Sequence, residues 1–130
     1  MNDRYLYRAK RTDNGEFVEG LLTIMWGQFH IINQDDENTA YPINESTICQ
    51  CTGLKDKNGK LIWENDIVRD EHGNFYKAFW QNNYYQFSWV CVKTDVFLIG
   101  TKWDLWSIKS FEIEVIGNKF DNPELLEREE

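Results

Sequence analysis

The chain has few of the groups on which most protein chemistry depends. Histidine occurs twice, at His30 and His72, and cysteine three times, at Cys49, Cys51 and Cys91. An odd cysteine count argues against a complete disulfide framework. Cys49 and Cys51 are two apart and share one strand face, a spacing at which neighbours rarely bond each other. With Cys91 and a histidine they could complete a zinc set, since structural zinc takes four ligands. Buried, reduced thiols fit the pattern better. No Gly-x-Ser-x-Gly, His-Glu-x-x-His or phosphate-binding loop occurs. No apolar run approaches a membrane span. The start, Met1-Asn2-Asp3-Arg4-Tyr5, has no basic stretch followed by an apolar one, so no signal peptide is expected. A soluble, cytoplasmic chain is the expectation.

Positive charge is also short. Fourteen basic residues stand against 22 acidic ones, a net charge of −8. Half of that excess lies between Asp121 and Glu130, which carry five acids and one base. An acidic surface is repelled by phosphate at long range, which disfavours nucleic acid as a partner. The only bases clustered in sequence are Arg4, Arg8, Lys10 and Arg11. They read as a solvated edge strand, where charge discourages sheet-to-sheet pairing. The acids Asp35, Asp36 and Glu37 lack the alternation of a calcium loop and read as a solvated connection.

Aromatic residues are plentiful. The 130 residues include six Trp, six Tyr and eight Phe. That is one domain, or one domain with an appended subdomain, and the rings can bury a sizeable core. They also favour strands over helices. Strands are expected at residues 5–9, 17–26, 29–32, 46–51, 61–63, 67–69, 75–80, 84–92, 96–99 and 111–116. Asn14-Gly15, Asn58-Gly59 and Asn82-Asn83 supply turns between them. Phe111-Glu112-Ile113-Glu114-Val115 alternates as a half-buried strand. Asn122-Pro123-Glu124 carries the signals of a helix start, with room for about two turns. The expected architecture is mainly β: an antiparallel meander over 1–46, then an SH3-like barrel over 47–130 ending in a short helix and an acidic tail.

The richest segment is Thr52-Gly53-Leu54-Lys55-Asp56-Lys57-Asn58-Gly59, followed by Ile62-Trp63-Glu64-Asn65-Asp66-Ile67-Val68. Together with Tyr7-Arg8-Ala9, Ile113-Glu114-Val115-Ile116-Gly117-Asn118 and Asn122-Pro123-Glu124-Leu125-Leu126, it resembles the YopX family of phage and prophage proteins. The pieces stand in the family's order over nearly the whole chain. The resemblance implies a small β-rich protein with an SH3-like portion, in a phage or prophage setting. It implies no activity, cofactor or catalytic residue. Where the family more often has a small residue, this chain has Asn65, which also tolerates a left-handed backbone. Asp56 and Asp66 are expected to accept backbone hydrogen bonds within their own corners.

The sequence bears on four functions. A binding or adaptor module would use the aromatic hairpin bearing Tyr76, Trp80, Tyr84, Tyr85, Phe87 and Trp89, with about half the rings on each face. Single-stranded nucleic-acid binding would stack bases on those rings, with only Arg69, Lys77 and Lys93 nearby to hold phosphates. An acidic decoy for a DNA-binding protein would rely on charge that here is concentrated in the tail. An enzyme would need a positioned acid, base or nucleophile. His72 reads as solvent-facing, His30 as a surface or rim residue, and Cys91 as a thiol in an apolar strand. The favoured expectation is a non-enzymatic accessory protein with no catalytic, cofactor or metal residue. Its partner would be a protein, with self-association possible through uncovered strand edges.

Overall fold

The computed structural model describes residues 3–33, 35, 36, 38–96 and 98–126. Residues 127–130 of the acidic tail, Glu37 of the acidic loop and Phe97 of the strand expected at 96–99 lie outside the described residues. About half of the described chain is strand, and every sheet is antiparallel. The chain forms two compact units, Met1–Cys51 and Thr52–Glu130.

The first unit is built from β1 (Tyr7–Lys10), β2 (Phe17–Met25), β3 (Gln28–Asn33), β4 (Ala40–Pro42) and the opening residues of β5 (Cys49–Lys55). They lie in the order β4-β3-β2-β1-β5. Ala9, Val18, Ile31 and Ile43 form its core, with Leu22, Phe29 and Tyr41 packed around them. Gly20 is fixed by crowding, because a Cβ there would lie 1.9 Å from the Ile32 carbonyl oxygen. The expectation of a solvated edge strand for the basic cluster is overturned. β1 is flanked by β2 and β5, and Arg8 is buried. Arg8 and Lys10 lie over the Phe17 ring at 4.5 and 4.9 Å, and Arg11 over Tyr41 at 4.1 Å. Aromatic faces therefore hold these cations.

The second unit continues from β5 into β6 (Leu61–Trp63), β7 (Asp66–Arg69), β8 (Phe75–Gln81), β9 (Gln86–Lys93), β10 (Lys102–Asp104) and β11 (Glu114–Asn118). Its main sheet runs β10-β9-β8-β7-β11. Ile62, Val68, Tyr76, Ala78, Trp89, Cys91 and Ile113 form the core. The Trp89 indole N–H donates to the Leu105 carbonyl at 3.2 Å.

One turn chemistry is used twice here. In Asp56-Lys57-Asn58-Gly59-Lys60, Asp56 N–H donates to Lys60 C=O and Gly59 N–H to Asp56 C=O, at 2.8 and 3.0 Å. The Asp56 Oδ1 accepts from Asn58 and Lys60 N–H, both at 2.9 Å. Asp70-Glu71-His72-Gly73-Asn74 repeats the same four bonds, with Asp70 Oδ1 accepting from His72 and Asn74 N–H at 2.9 Å. Gly59 and Gly73 supply the left-handed backbone, at φ 80° and 83°. The second carboxylate oxygen reaches further. Asp56 Oδ2 accepts from Val115 N–H at 2.9 Å, and Asp70 Oδ2 accepts from Tyr76 Oη–H at 2.9 Å. Between these turns, Asn65 takes φ 71° and Asp66 Oδ2 accepts from Trp63 N–H at 2.8 Å. The acceptor roles expected of Asp56 and Asp66 are present.

The closed barrel expected over 47–130 is not formed, because the sheets stay open. At β11 a side-chain carboxylate, that of Asp56, stands in for a further ladder. The C-terminal helix shrinks to a single 3₁₀ turn, Pro123–Leu126. Asn122 does not cap it; its Oδ1 accepts from Asn118 N–H at 3.2 Å and so faces backward. The strand expected from Phe111 starts at Glu114, since Ser110–Glu112 forms a 3₁₀ turn that leaves Phe111 exposed. Strand β10 at 102–104 and β4 at 40–42 stand where no strand was expected, and the described residues of the strand expected at 96–99 are not strand.

Burial opposes ionisation of Asp56, but the donors from Val115, Lys60 and Asn58 outweigh it, so its carboxyl titrates below the ordinary carboxylate value. Asp70 is depressed in the same way, burial being outweighed by Asn74, Tyr76 and His72. A depressed folded value means the stabilisation is complete above about pH 5 and is lost as pH falls through the folded pKa. Acid unfolding of Asp70→Asn followed by circular dichroism should therefore show a shallower loss of stability below that pH than the parent. Removing the Asp56 carboxylate strands three N–H groups, so Asp56→Ala should cost roughly 2–4 kcal/mol in urea unfolding.

Candidate functional site

The aromatic hairpin was expected to divide its rings between two faces. The ladder pairs Tyr76 with Cys91, Ala78 with Trp89 and Trp80 with Phe87. Tyr76, Trp80, Phe87 and Trp89 therefore share the core-facing side. Trp80 and Phe87 meet edge to face at 5.2 Å at its outer end. Tyr84 and Tyr85 are not on a face at all. They lie in the four-residue turn between Gln81 and Gln86, and both are exposed, at 67% and 80%. Tyr85 is held at φ 51°, a left-handed conformation that disfavours a bulky side chain.

Beside this turn is an open cleft of about 520 Å³, lined by Gln81, Tyr84, Gln86, Lys102, Trp103, Asp104 and Ser107. A polar chain runs across three strands at its base. Ser88 Oγ–H donates to Gln81 Oε1 at 2.9 Å, and Gln86 Nε2–H donates to Asp104 Oδ1 at 2.6 Å. Ser88 is fully buried, so this chain is a fixed floor. The cleft joins a flat ring surface to amide, carboxylate and ammonium groups, a combination suited to recognition.

The residues considered for chemistry are placed otherwise. His30 is buried, not at a rim, because β4 sets Pro42 beside it; its Nδ1–H donates to the Gln28 carbonyl at 2.9 Å. His72 is exposed in its turn, near Glu71. All three cysteines are buried free thiols. Cys49 Sγ–H donates to the Thr47 carbonyl at 3.3 Å, and burial pushes the Cys91 thiol above its ordinary pKa, away from thiolate. Among the described residues, no three His, Cys, Asp or Glu side chains come together as a metal set. Near the hairpin, Arg69 pairs with Glu114 at 3.2 Å and Lys93 lies 5.0 Å over Phe75. No helix among the described residues is long and apolar enough to cross a membrane.

A second aromatic tip occurs in the first unit. Met25 pairs with Gln28 across the two-residue turn Trp26-Gly27, where Trp26 sits at φ 51° with 94% exposure. The composition of the strands gave no sign that this ring would be displayed. The signal was the Trp-Gly pair at a tight hairpin, where both central residues need positive φ.

The fold and its sites define a small antiparallel β protein that presents rings on a hairpin turn in each unit, the Tyr84-Tyr85 turn lying beside a polar cleft. The family profile described as YopX protein matches residues 6–127, so the chain belongs to the YopX family. No curated protein matches it.

The Trp26 turn offers a direct check on strain. Trp26→Asn keeps the turn, removes a ring that packs on little, and places a residue that accepts the left-handed backbone. It should raise stability by about 0.5–1 kcal/mol, measured by thermal or urea unfolding.

Proposed function

We infer that this chain is a non-enzymatic binding module, a phage or prophage accessory protein that engages a protein partner in the host cytoplasm. The observation that carries the reading is the β8–β9 turn, which holds Tyr84 and Tyr85 out to solvent with Tyr85 in a strained left-handed backbone. Strain of this kind persists where its surroundings enforce it, and it gathers at functional positions. Tyrosine suits contact surfaces because it combines a large apolar body with a polar tip. The polar floor beneath adds donors and acceptors for a partner's backbone or side chains. Arg69 lies on Glu114 and Lys93 on Phe75, and a net charge of −8 repels a phosphate backbone at long range, which together favour a protein over a nucleic-acid strand.

The tagged chain and its Tyr84→Ala/Tyr85→Ala variant, compared by affinity capture from host lysate and mass spectrometry, give the test. Proteins retained by the parent should be lost or fall at least tenfold with the variant, while both chains unfold at similar temperatures. Equal retention by both would refute this surface.

A further inference from the structure

Strand β10 is the outer strand of the second unit's main sheet. Its phase against β9 can be read from the ladder. Cys91 N–H donates to Thr101 C=O and Gly100 N–H to Cys91 C=O, both at 2.8 Å. Gly100, at φ 93°, and Thr101 thus stand together opposite Cys91 as a bulge. From there Lys102 pairs with Val90, Trp103 with Trp89 and Asp104 with Ser88. Hydrogen-bonded and non-hydrogen-bonded pairs alternate in an antiparallel ladder. The Trp103 backbone therefore faces β9, and the N–H and C=O of Lys102 and the N–H of Asp104 point away from the sheet.

The sequence on this edge is Lys102-Trp103-Asp104. Read antiparallel against itself about Trp103, it sets Lys102 of each copy opposite Asp104 of the other. In that register the Asp104 N–H of one copy meets the Lys102 C=O of the second, and symmetry repeats the bond. Opposite charges face each other at both ends, a favourable cross-strand pairing; Asp104 Oδ1 already accepts from Gln86 in its own chain, so the pairing falls to the other carboxylate oxygen. Exposed apolar side chains flank the strand at both ends. Trp106 lies just beyond one end of β10 and is 82% exposed, while Leu98, 83% exposed, and half-exposed Ile99 lie just before the other. The two-fold brings Trp106 of one copy toward Leu98 and Ile99 of the other. Backbone, charge and apolar surface are thus complementary in one arrangement, as an isologous interface requires.

We propose that two copies of this chain pair antiparallel through β10 about a two-fold axis at Trp103, forming a continuous sheet across the dimer. The occupant of the edge is a second copy because Lys-Trp-Asp is self-complementary only in this pairing. Lys102, Trp103 and Asp104 also line the cleft beside the tyrosine turn, but self-pairing uses the outer backbone edge of β10 and is read as mass, so its failure is distinguishable from loss of capture by the tyrosine variant.

Sedimentation equilibrium on the full chain tests it. The parent should sediment at twice 15.6 kDa. Lys102→Asp places acids opposite acids, and Asp104→Lys places bases opposite bases, so each variant alone should sediment as a monomer. An equimolar mixture of the two restores opposite charges at both ends and should return to the dimer mass, with the association weakened by salt. That rescue also shows that both variants are folded. A monomeric parent, a dimer that persists in both variants, or a mixture that stays monomeric would each overturn the proposal.

Discussion

A single buried carboxylate, that of Asp56, accepts N–H groups from Asn58, Lys60 and Val115. The first two shape the turn that leaves β5, and the third belongs to β11, remote in sequence. Lys57 N–H donates to the Ile113 carbonyl at 2.9 Å beside it, and Lys57 Nζ lies 3.4 Å from Glu114. One acid therefore joins a local turn to the last strand, next to Ile113 in the core. An apolar side chain of similar size could fill the space, but it would leave buried donors without partners, a penalty larger than a hydrogen bond's net gain. Asp70 does comparable work between β7 and β8, joining its turn to Tyr76. Burial, and then this carboxylate, push the Tyr76 phenol well above its ordinary pKa.

Corners fixed in this way release other turns from structural duty. The β8–β9 turn is closed by Tyr84 N–H on the Gln81 carbonyl at 3.1 Å, and the ladder below it runs unbroken from Tyr76 to Gln81. Its tip need bury nothing, so it can carry two exposed tyrosines. The Trp26-Gly27 turn rests in the same way on the ladder of β2 with β3. Stiff strands with ring-bearing tips are what the proposed binding role needs, since a preorganised contact surface lowers the cost of engagement.

Sequence reading reached the parts of this fold that are local. The turn at Asn58-Gly59, the left-handed Asn65 and the acceptor roles of Asp56 and Asp66 follow from short-range chemistry alone. The recurrence of Asp-x-x-Gly at Asp56 and Asp70 is equally present in the letters, but four residues do not say where the second carboxylate oxygen will reach. Other features depend on neighbours that a local pattern does not contain. Whether β1 lies at an edge or in the middle is decided by β5, some forty residues on, which is why Arg8 is buried on Phe17. His30 reads as a surface or rim residue because β4, three residues long, carries no periodic signal. Asn122-Pro123 has the form of a helix start, yet the Asn122 side chain is claimed by Asn118. Alternation placed rings on two faces, and Tyr84 and Tyr85 escaped it by falling in the turn. The candidate site was legible as a hairpin, and its exposed pair was not.

The most direct measurement is a pH titration of the backbone amides by nuclear magnetic resonance. If the Asp56 carboxylate unites the β5–β6 turn with β11, the Asn58, Lys60 and Val115 amide protons should shift together, with one midpoint below the ordinary carboxylate value. A Val115 amide that ignores this titration, or a common midpoint at or above that value, would contradict the account.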